Sequence, residues 1–183
     1  MMVLVTGGSA SGKSAFAEKV IETLKKDRAI YLATMIPWDE ECREKIAKHR
    51  AVRAGKGFET LEQYTDIASV TLSDRPVLLL ECLSNLLANE MYDSKGYCSK
   101  YGVNGLCDAI ISGVNKLRGQ CEHVVVVTNE VFSDYGSVYE ETMSYLKYLG
   151  EINRRLTAMA DNVYEIVSGL KLPLKEEERR WDF

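Results

Sequence analysis

Apolar and polar residues follow one another along the chain in blocks of two kinds. A short run of continuous apolar residues is typical of a strand buried on both faces, and apolar residues three or four positions apart are typical of an amphipathic helix. The predicted strands cover residues 2–6, 29–34, 77–81, 124–128 and 163–167. The predicted helices cover residues 14–26, 39–50, 64–72, 83–91, 106–116 and 139–161, and the last is the longest.

The alternation of strands with helices predicts an α/β fold. We expect a P-loop NTPase-like, mostly parallel sheet with right-handed crossovers and helices on both faces. Residues 163–167 are expected to be the last strand, and the glycine-containing stretch 92–105 is expected to be a mobile loop. We predict one catalytic domain over residues 1–174 and a charged, frayed tail over residues 175–183.

Composition and charge narrow the class of protein. The 183 residues are 46% hydrophobic and 27% charged, with a formal net charge of −4, as in an ordinary globular domain. This charge provides no basic surface for nucleic acid or an anionic membrane. No apolar run approaches the roughly 20 residues that cross a bilayer, and the chain opens on a strand rather than a signal peptide. We therefore expect a cytoplasmic protein without nucleic-acid partners.

The five cysteines indicate buried thiols rather than disulfides. Their number is odd, and no Cys-x-x-Cys pair occurs among them. A metal site built from Cys107, Cys121 and His123 is disfavoured, since their spacing fits no zinc pattern.

One stretch carries a strong signal for phosphate binding. It fits Gly-x-x-x-x-Gly-Lys-[Ser/Thr], follows a predicted strand and opens a predicted helix. Its residues are Gly7, Gly8, Ser9, Ala10, Ser11, Gly12, Lys13 and Ser14. The backbone of such a loop forms an anion nest, the lysine binds the outer phosphates, and the hydroxyl of Ser14 is suited to Mg²⁺.

A second candidate for the metal follows the predicted strand 77–81. Glu81 ends this apolar run, so its carboxylate is expected at the sheet edge where open α/β folds bind ligands. With a P-loop upstream, this acid is a Walker B candidate that holds Mg²⁺ directly or through water. The alternative is a strand-end acid that faces solvent.

Several further segments together resemble one enzyme family. They are Leu4–Gly8, Ser11–Ser14, Tyr31–Thr34, His49-Arg50-x-x-Arg53, Leu79–Cys82 and Val127–Val131, in this order from residue 2 to about residue 174. The chain resembles the bifunctional adenosylcobinamide kinase / adenosylcobinamide-phosphate guanylyltransferases of cobalamin assembly. The resemblance implies phosphorylation of a corrinoid hydroxyl, followed by transfer of GMP from GTP to that phosphate.

The resemblance also implies residue roles. His49 would be the guanylylated nucleophile, a role that neutral imidazole can perform near pH 7, and Arg50 and Arg53 would neutralise phosphates. Nucleotide contacts are further implied for Ala33, Thr34, Glu62 and Glu81. The implied small molecules are GTP, with ATP as an alternative phosphate donor, Mg²⁺ and a corrinoid, and the family implies a homotrimer. Without the resemblance, His49 would be interpreted as a solvated surface residue.

The chain departs from the family pattern at three places, which leaves alternatives open. Phe132 stands where the family has glycine, Lys147-Tyr148 where it has Arg-Asp, and Phe58 where it has tryptophan. These departures concern how the corrinoid is held and whether both half-reactions are retained. The alternatives are a guanylyltransferase without kinase activity, another small-metabolite P-loop kinase, and a GTP-binding regulatory protein with little turnover.

Overall fold

A computed structural model describes residues 1–25, 27–37, 40, 43–44, 46–47, 55–131 and 139–176 of the chain. The strands are β1 (Met2–Thr6), β2 (Ala29–Ala33), β3 (Phe58–Glu62), β4 (Val77–Leu80), β5 (His123–Val127), β6 (Asn162–Val167) and β7 (Leu170–Lys175). The helices are α1 (Lys13–Leu24), α2 (Leu83–Tyr92), α3 (Tyr97–Tyr101), α4 (Leu106–Gln120) and α5 (Glu140–Met159), with a 3₁₀ turn at Ile67–Ser69. Residues 40, 43–44 and 46–47 are also helical.

The strands form one sheet in the order β3-β2-β4-β5-β1-β6-β7. Every neighbouring pair is parallel except β6 and β7. Strand β1 lies between β5 and β6, with Leu4 level with Val126 on one side and Val163 on the other. The carboxyl ends of β1 to β6 therefore share one side of the sheet, called here the carboxyl edge.

Alternate strand residues face opposite sides of the sheet, and both sides are covered. On one face, Val5, Tyr31 and Leu79 pack with the buried side of α1. On the other face, Leu32 and Leu80 pack with apolar residues of α2, α4 and α5. The prediction of a mostly parallel sheet with helices on both faces is confirmed.

The amphipathic pattern explains the two helices that frame the site. Helix α1 buries Ala17, Val20, Ile21 and Leu24, which recur at three- and four-residue intervals. Helix α5 buries Leu149, Ile152 and Leu156 in the same way, and it is the longest helix in the described part of the chain. None of the helices that the structure describes has the length and apolar character to cross a bilayer.

The prediction of a mobile loop over residues 92–105 is wrong in that the stretch is not all loop: it contains α3. Glu90 is 5% exposed, and its carboxylate accepts hydrogen bonds from the backbone N–H groups of Asp66, at 2.6 Å, and Tyr97, at 2.7 Å. A buried acceptor thus fixes a stretch that looks like a loop from its composition. The same contact helps to explain why the predicted helix 64–72 shrinks to a 3₁₀ turn, since Asp66 adopts a left-handed φ of 49°.

Residues 163–167 are not the last strand, since β7 follows them. Strand β7 pairs with β6 alone, and its leucines Leu170, Leu172 and Leu174 are exposed, so it lacks the continuous burial that predicts a strand. Most of the other predicted strands and helices lie within a few residues of their predicted ends, whereas both ends of the predicted helix 39–50 lie outside the described residues. The predicted helix 106–116 extends to Gln120, and residues 177–183 of the predicted tail lie outside the described residues.

Candidate nucleotide-binding site

The P-loop connects the end of β1 to the start of α1 at the carboxyl edge. Ala10 and Gly12 have left-handed φ values of 55° and 93°, which turn the chain tightly before the helix. A Cβ on Gly7 would lie 2.5 Å from the carbonyl oxygen of Ile166 and 2.7 Å from Ser11 Oγ. A side chain at this position would therefore collide with the neighbouring strand, so the loop requires glycine here.

The loop is held on both flanks by the strands that neighbour β1. The backbone N–H of Glu130, after β5, donates to the carbonyl oxygen of Gly7 at 3.0 Å. The backbone N–H of Gly169, after β6, donates to the carbonyl oxygen of Ser11 at 2.9 Å. The loop is thus fixed at its first residue and at its middle, which preorganises it for an anion.

The buried hydroxyl of Ser11 indicates that the P-loop is suited to phosphate. Ser11 is only 9% exposed, and its Oγ has no hydrogen-bond partner among the described residues. Buried polar atoms are nearly always satisfied by protein, water or ligand. A phosphate oxygen within the loop would supply that partner, at the N-terminus of α1 where the helix dipole favours an anion. The exposed Ser14 stands in the first turn of the same helix.

Lys13 is partly buried and bound to its own loop. Its Nζ donates to the carbonyl oxygen of Gly8 at 2.9 Å. Burial lowers the pKa of Lys13 from its usual value of 10.5, and the nearby Cys82 side chain acts in the opposite direction. A phosphate anion would favour the charged ammonium more strongly than a carbonyl oxygen does.

Glu81 lies at the same edge of the sheet as the P-loop, directly after β4. Its backbone N–H donates to the carbonyl oxygen of Leu32 at 3.1 Å, which fixes the end of the strand. Because β5 separates β4 from β1, the two strand ends are about 10 Å apart, twice the spacing of neighbouring strands. A metal ion with its water ligands can bridge much of such a gap between Ser14 and Glu81.

A polar network whose hydrogen bonds the sequence did not predict connects the elements at the carboxyl edge. Thr128 Oγ1 donates to Asn153 Oδ1 at 2.8 Å, and Asn153 Nδ2 donates to the carbonyl oxygen of Asn129 at 3.3 Å. Asn129 Nδ2 then donates to Ser84 Oγ at 2.6 Å, and Ser84 Oγ lies 3.0 Å from Cys82 Sγ. These bonds connect α5, the end of β5 and the start of α2.

Part of this network had a sequence signal. Thr128 and Asn129 directly follow an apolar strand, and such polar residues at a strand end are candidates for the carboxyl edge. Asn153, which the family pattern retains three residues after Gly150, and Ser84 occur within helical segments where isolated polar residues are common, so the pattern alone did not predict these bonds. Only the packing of α2 and α5 brings them to the strand ends.

Thr34 also reaches the carboxyl edge, but its side chain is already engaged. The residue is fully buried, and its Oγ1 donates to the carbonyl oxygen of Cys82 at 2.9 Å. Its own carbonyl oxygen accepts a hydrogen bond from Asn89 Nδ2 at 2.8 Å. The neighbouring Ala33, the last residue of β2, is half-buried.

Glu62 ends β3 on the far side of the same edge, with an exposed carboxylate that accepts a hydrogen bond from the Tyr64 hydroxyl at 2.8 Å. A cavity of about 230 Å³ adjoins it, lined by Pro37, Arg43, Ile46, Ala47, Glu62 and Tyr64. Arg43, Ile46 and Ala47 thus lie near Glu62. The predicted site residues His49, Arg50 and Arg53, which follow this helical segment, lie outside the described residues.

The comparison with solved structures shows the fold. A KaiC-like protein from Pyrococcus horikoshii OT3 superposes with a TM-score of 0.53 at 11% sequence identity, covering 98% of this chain and 81% of that one. This similarity supports the P-loop NTPase-like arrangement of the sheet.

The comparison with sequences shows the family. The bifunctional adenosylcobalamin biosynthesis protein CobU of Escherichia coli K12 is 31% identical over 186 residues, covering 96% of this chain and 100% of the relative. CobP of Pseudomonas aeruginosa, also named as a bifunctional adenosylcobalamin biosynthesis protein, is 28% identical over 181 residues and covers 97% of this chain and 99% of its own. A family model described as cobinamide kinase / cobinamide phosphate guanyltransferase matches residues 3–174. The chain therefore belongs to the cobinamide kinase / cobinamide phosphate guanyltransferase family.

Proposed function

We propose that this enzyme performs both reactions of its family at one nucleotide site, with His49 as the residue that carries GMP from GTP to the phosphorylated corrinoid. The family phosphorylates cobinamide and transfers a guanylyl group to cobinamide phosphate in cobalamin biosynthesis. The observation that carries the proposal is the fixed P-loop, with the buried and unpartnered Ser11 hydroxyl, at the carboxyl edge of a chain from this family.

In the kinase step, the substrate hydroxyl attacks the γ-phosphorus of a nucleoside triphosphate, GTP or ATP. The bond from the γ-phosphorus to the bridging oxygen breaks, the nucleoside diphosphate leaves, and the hydroxyl loses its proton. The P-loop amides and Lys13 hold the phosphates in line for this attack. Ser14 and Glu81 are the residues that would hold Mg²⁺, which when bound neutralises charge that develops on the phosphate oxygens.

In the second reaction, a neutral ring nitrogen of His49 attacks the α-phosphorus of GTP, and pyrophosphate leaves. A phosphate oxygen of the phosphorylated corrinoid then attacks the same phosphorus and releases the histidine. Arg50 and Arg53 would neutralise the phosphates, while Ala33, Thr34 and Glu62 would contact the nucleotide. Because Thr34 is fully buried, with both its hydroxyl and its carbonyl oxygen engaged, its role would be to hold the end of β2 in place beside the nucleotide.

The surroundings of Glu62 support this assignment. Arg43, Ile46 and Ala47 line a cavity together with Glu62 and Tyr64 at the end of β3. Ala47 precedes His49 by two positions in the sequence, which favours a role for His49 at this edge. Glu62, Ala33 and Glu81 follow or end neighbouring strands of that edge.

Labelling with GTP that carries a radioactive α-phosphate tests the role of His49. With Mg²⁺, the wild type should acquire an acid-labile, base-stable GMP adduct, as expected of a phosphoramidate, and His49→Ala should acquire none. His123→Ala is the matched control, because His123 begins β5 at the opposite end of the strands from the P-loop. Label that is retained in His49→Ala and lost in His123→Ala would contradict the proposal.

Incubation of the wild type with labelled GTP and cobinamide also distinguishes the alternative functions. Transfer of the γ-phosphate to cobinamide shows the kinase step, and a GMP adduct without such transfer indicates a guanylyltransferase alone. Transfer of the γ-phosphate without an adduct indicates a small-metabolite kinase. Tight GTP binding with neither product indicates a regulatory protein.

We include the assembly and the partners in the proposal. One domain over residues 1–174 would carry both reactions on small molecules, GTP and a corrinoid, without nucleic acid, and the enzyme would be a homotrimer as its family implies. The exposed leucines of the edge strand β7, Leu170, Leu172 and Leu174, are suited to contacts between copies. Sedimentation equilibrium tests the assembly, and a monomer at micromolar concentration would contradict it.

A further inference from the structure

The turn between β6 and β7 packs against the P-loop. Ser168 and Gly169 connect the two strands and have consecutive left-handed φ values of 51° and 81°, as in the type I′ turn of a tight hairpin. The strands on either side hold this turn beside the carboxyl end of β1, because β6 is the parallel neighbour of β1.

Two contacts define how the turn meets the loop. The backbone N–H of Gly169 donates to the carbonyl oxygen of Ser11 at 2.9 Å. A Cβ built on Gly12 would lie 3.5 Å from Gly169 Cα, so the turn is in van der Waals range of the loop backbone. The hairpin therefore contacts the half of the P-loop that leads into α1.

The bond to Ser11 also sets the direction of an amide group. In a trans peptide, the C=O of one residue and the N–H of the next point in opposite directions. The carbonyl oxygen of Ser11 is directed at Gly169, so the N–H of Gly12 is directed away from the hairpin. In a phosphate-binding nest, the direction of such N–H groups determines how well the anion is held.

We propose that Gly169 is a positioning residue, which holds the Ser11–Gly12 peptide in the orientation that binds phosphate. The proposal rests on the proposed function of the P-loop as the nucleotide site. Gly169 does not contact the reacting atoms, and it acts through the Ser11 carbonyl group. Its left-handed conformation presents the N–H to the loop, and this conformation strongly favours glycine and tolerates asparagine.

Two substitutions separate conformation from bulk. An ideal Cβ on Gly169 has no other atom within 4 Å, so alanine and asparagine both fit and differ in how well they tolerate the positive φ. Gly102→Ala is the control: Gly102 has a φ of 70° with a ψ of −172°, equally open surroundings, and an N–H that donates to the carbonyl oxygen of Cys98 in α3. This conformation is essentially restricted to glycine, so Gly102→Ala introduces at least as much strain as Gly169→Ala, at a different place.

Equilibrium binding of Mg²⁺-GTP to the full chain tests the proposal. We expect Gly169→Ala to raise the Kd by about five- to tenfold, Gly169→Asn to stay within about twofold of the wild type, and Gly102→Ala to match the wild type. Both alanine variants should lose thermal stability, and Gly102→Ala should lose at least as much as Gly169→Ala. Equal Kd values for the two alanine variants would overturn the proposal, whereas a wild type without GTP binding would overturn the proposed function as well.

Hydrogen–deuterium exchange in the wild type gives a second test that needs no variant. If the turn and the phosphate site are coupled, GTP must stabilise the turn as much as the turn stabilises bound GTP. We expect GTP to slow amide exchange in peptides that contain Gly169, and to leave exchange around Gly102 unchanged. Unchanged exchange at the turn, with GTP bound, would contradict the inference.

Discussion

The ammonium group of Lys13 donates a hydrogen bond to the carbonyl oxygen of Gly8, 2.9 Å away, so the lysine is folded onto its own loop. In this position Lys13 is partly removed from water without an anionic oxygen as its acceptor, and burial lowers its pKa. A nucleotide that enters the loop would exchange the carbonyl acceptor for phosphate oxygens and raise the pKa again. Phosphate binding and protonation of Lys13 are therefore linked.

This linkage predicts how GTP affinity depends on pH. Bound phosphate raises the pKa of Lys13 above its lowered value in the free protein. The affinity for GTP is therefore highest at a pH below the pKa of the free protein, and it falls as the pH rises through that pKa. That fall should begin at a lower pH than the usual lysine value of 10.5 would give. Lys13→Arg should remove this fall in GTP affinity with rising pH, because arginine stays protonated. Calorimetric titrations of the wild type and the variant at several pH values measure the affinity, and parallel pH profiles of the two proteins would contradict the prediction.

Glu81→Gln should affect turnover with Mg²⁺ more than binding of GTP without metal. The amide keeps the size of the carboxylate but removes the charge that a divalent cation requires, and we expect a loss of roughly 10²-fold in kcat. Glu59→Gln, at an exposed carboxylate of β3, is the control. Equal effects on binding with and without Mg²⁺ would assign Glu81 to a structural role.

Asn153→Ala should destabilise the carboxyl edge. The substitution leaves the fully buried Thr128 hydroxyl without its acceptor and removes the donor to the Asn129 carbonyl group. We expect the free energy of unfolding to fall by about 1–3 kcal/mol, as for other buried polar groups that lose a partner. Asn115→Ala, at an exposed position of α4, should change it by less than about 0.5 kcal/mol. Urea denaturation measures both, and similar values would show that the network adds no stability.

Two glycines of α4 should respond to alanine in opposite directions. A Cβ on Gly113 would lie 2.6 Å from Ile67 Cγ1, so Gly113→Ala forces the helix away from the 3₁₀ turn and should cost about 1–3 kcal/mol. A Cβ on Gly119 has no neighbour within 4 Å, so Gly119→Ala should gain about 0.5–1 kcal/mol from helix propensity. Thermal denaturation of the two variants should shift in opposite senses.

The elements that the sequence predicts well have strong local signals. The P-loop combines a spaced glycine-lysine motif with an apolar strand and an amphipathic helix, and all three appear in the structure where the pattern places them. Fully buried strands such as β4 and β5 are equally clear, because continuous apolar runs of four or five residues are rare outside the interior of a sheet.

The elements that the sequence misses depend on distant partners. Helix α3 is fixed by the Glu90 carboxylate, and β7 is stabilised by pairing with β6 while its leucines face outward. The bond between Thr128 and Asn153 exists only after α5 packs on the sheet.

Phe58, one of the departures from the family pattern, packs edge-on against Tyr31 with ring centroids 6.0 Å apart.

The position of β1 in the middle of the sheet has a consequence for how the protein is made. Strand β1 is an early segment to leave the ribosome, yet its neighbours β5 and β6 come much later, and the Met2 amide bonds to Asp161, 159 residues away. At ordinary rates of synthesis this delay is roughly ten to thirty seconds. A nascent chain therefore cannot close its phosphate loop until nearly the whole sheet has been translated, and GTP can capture the protein only at the end of folding.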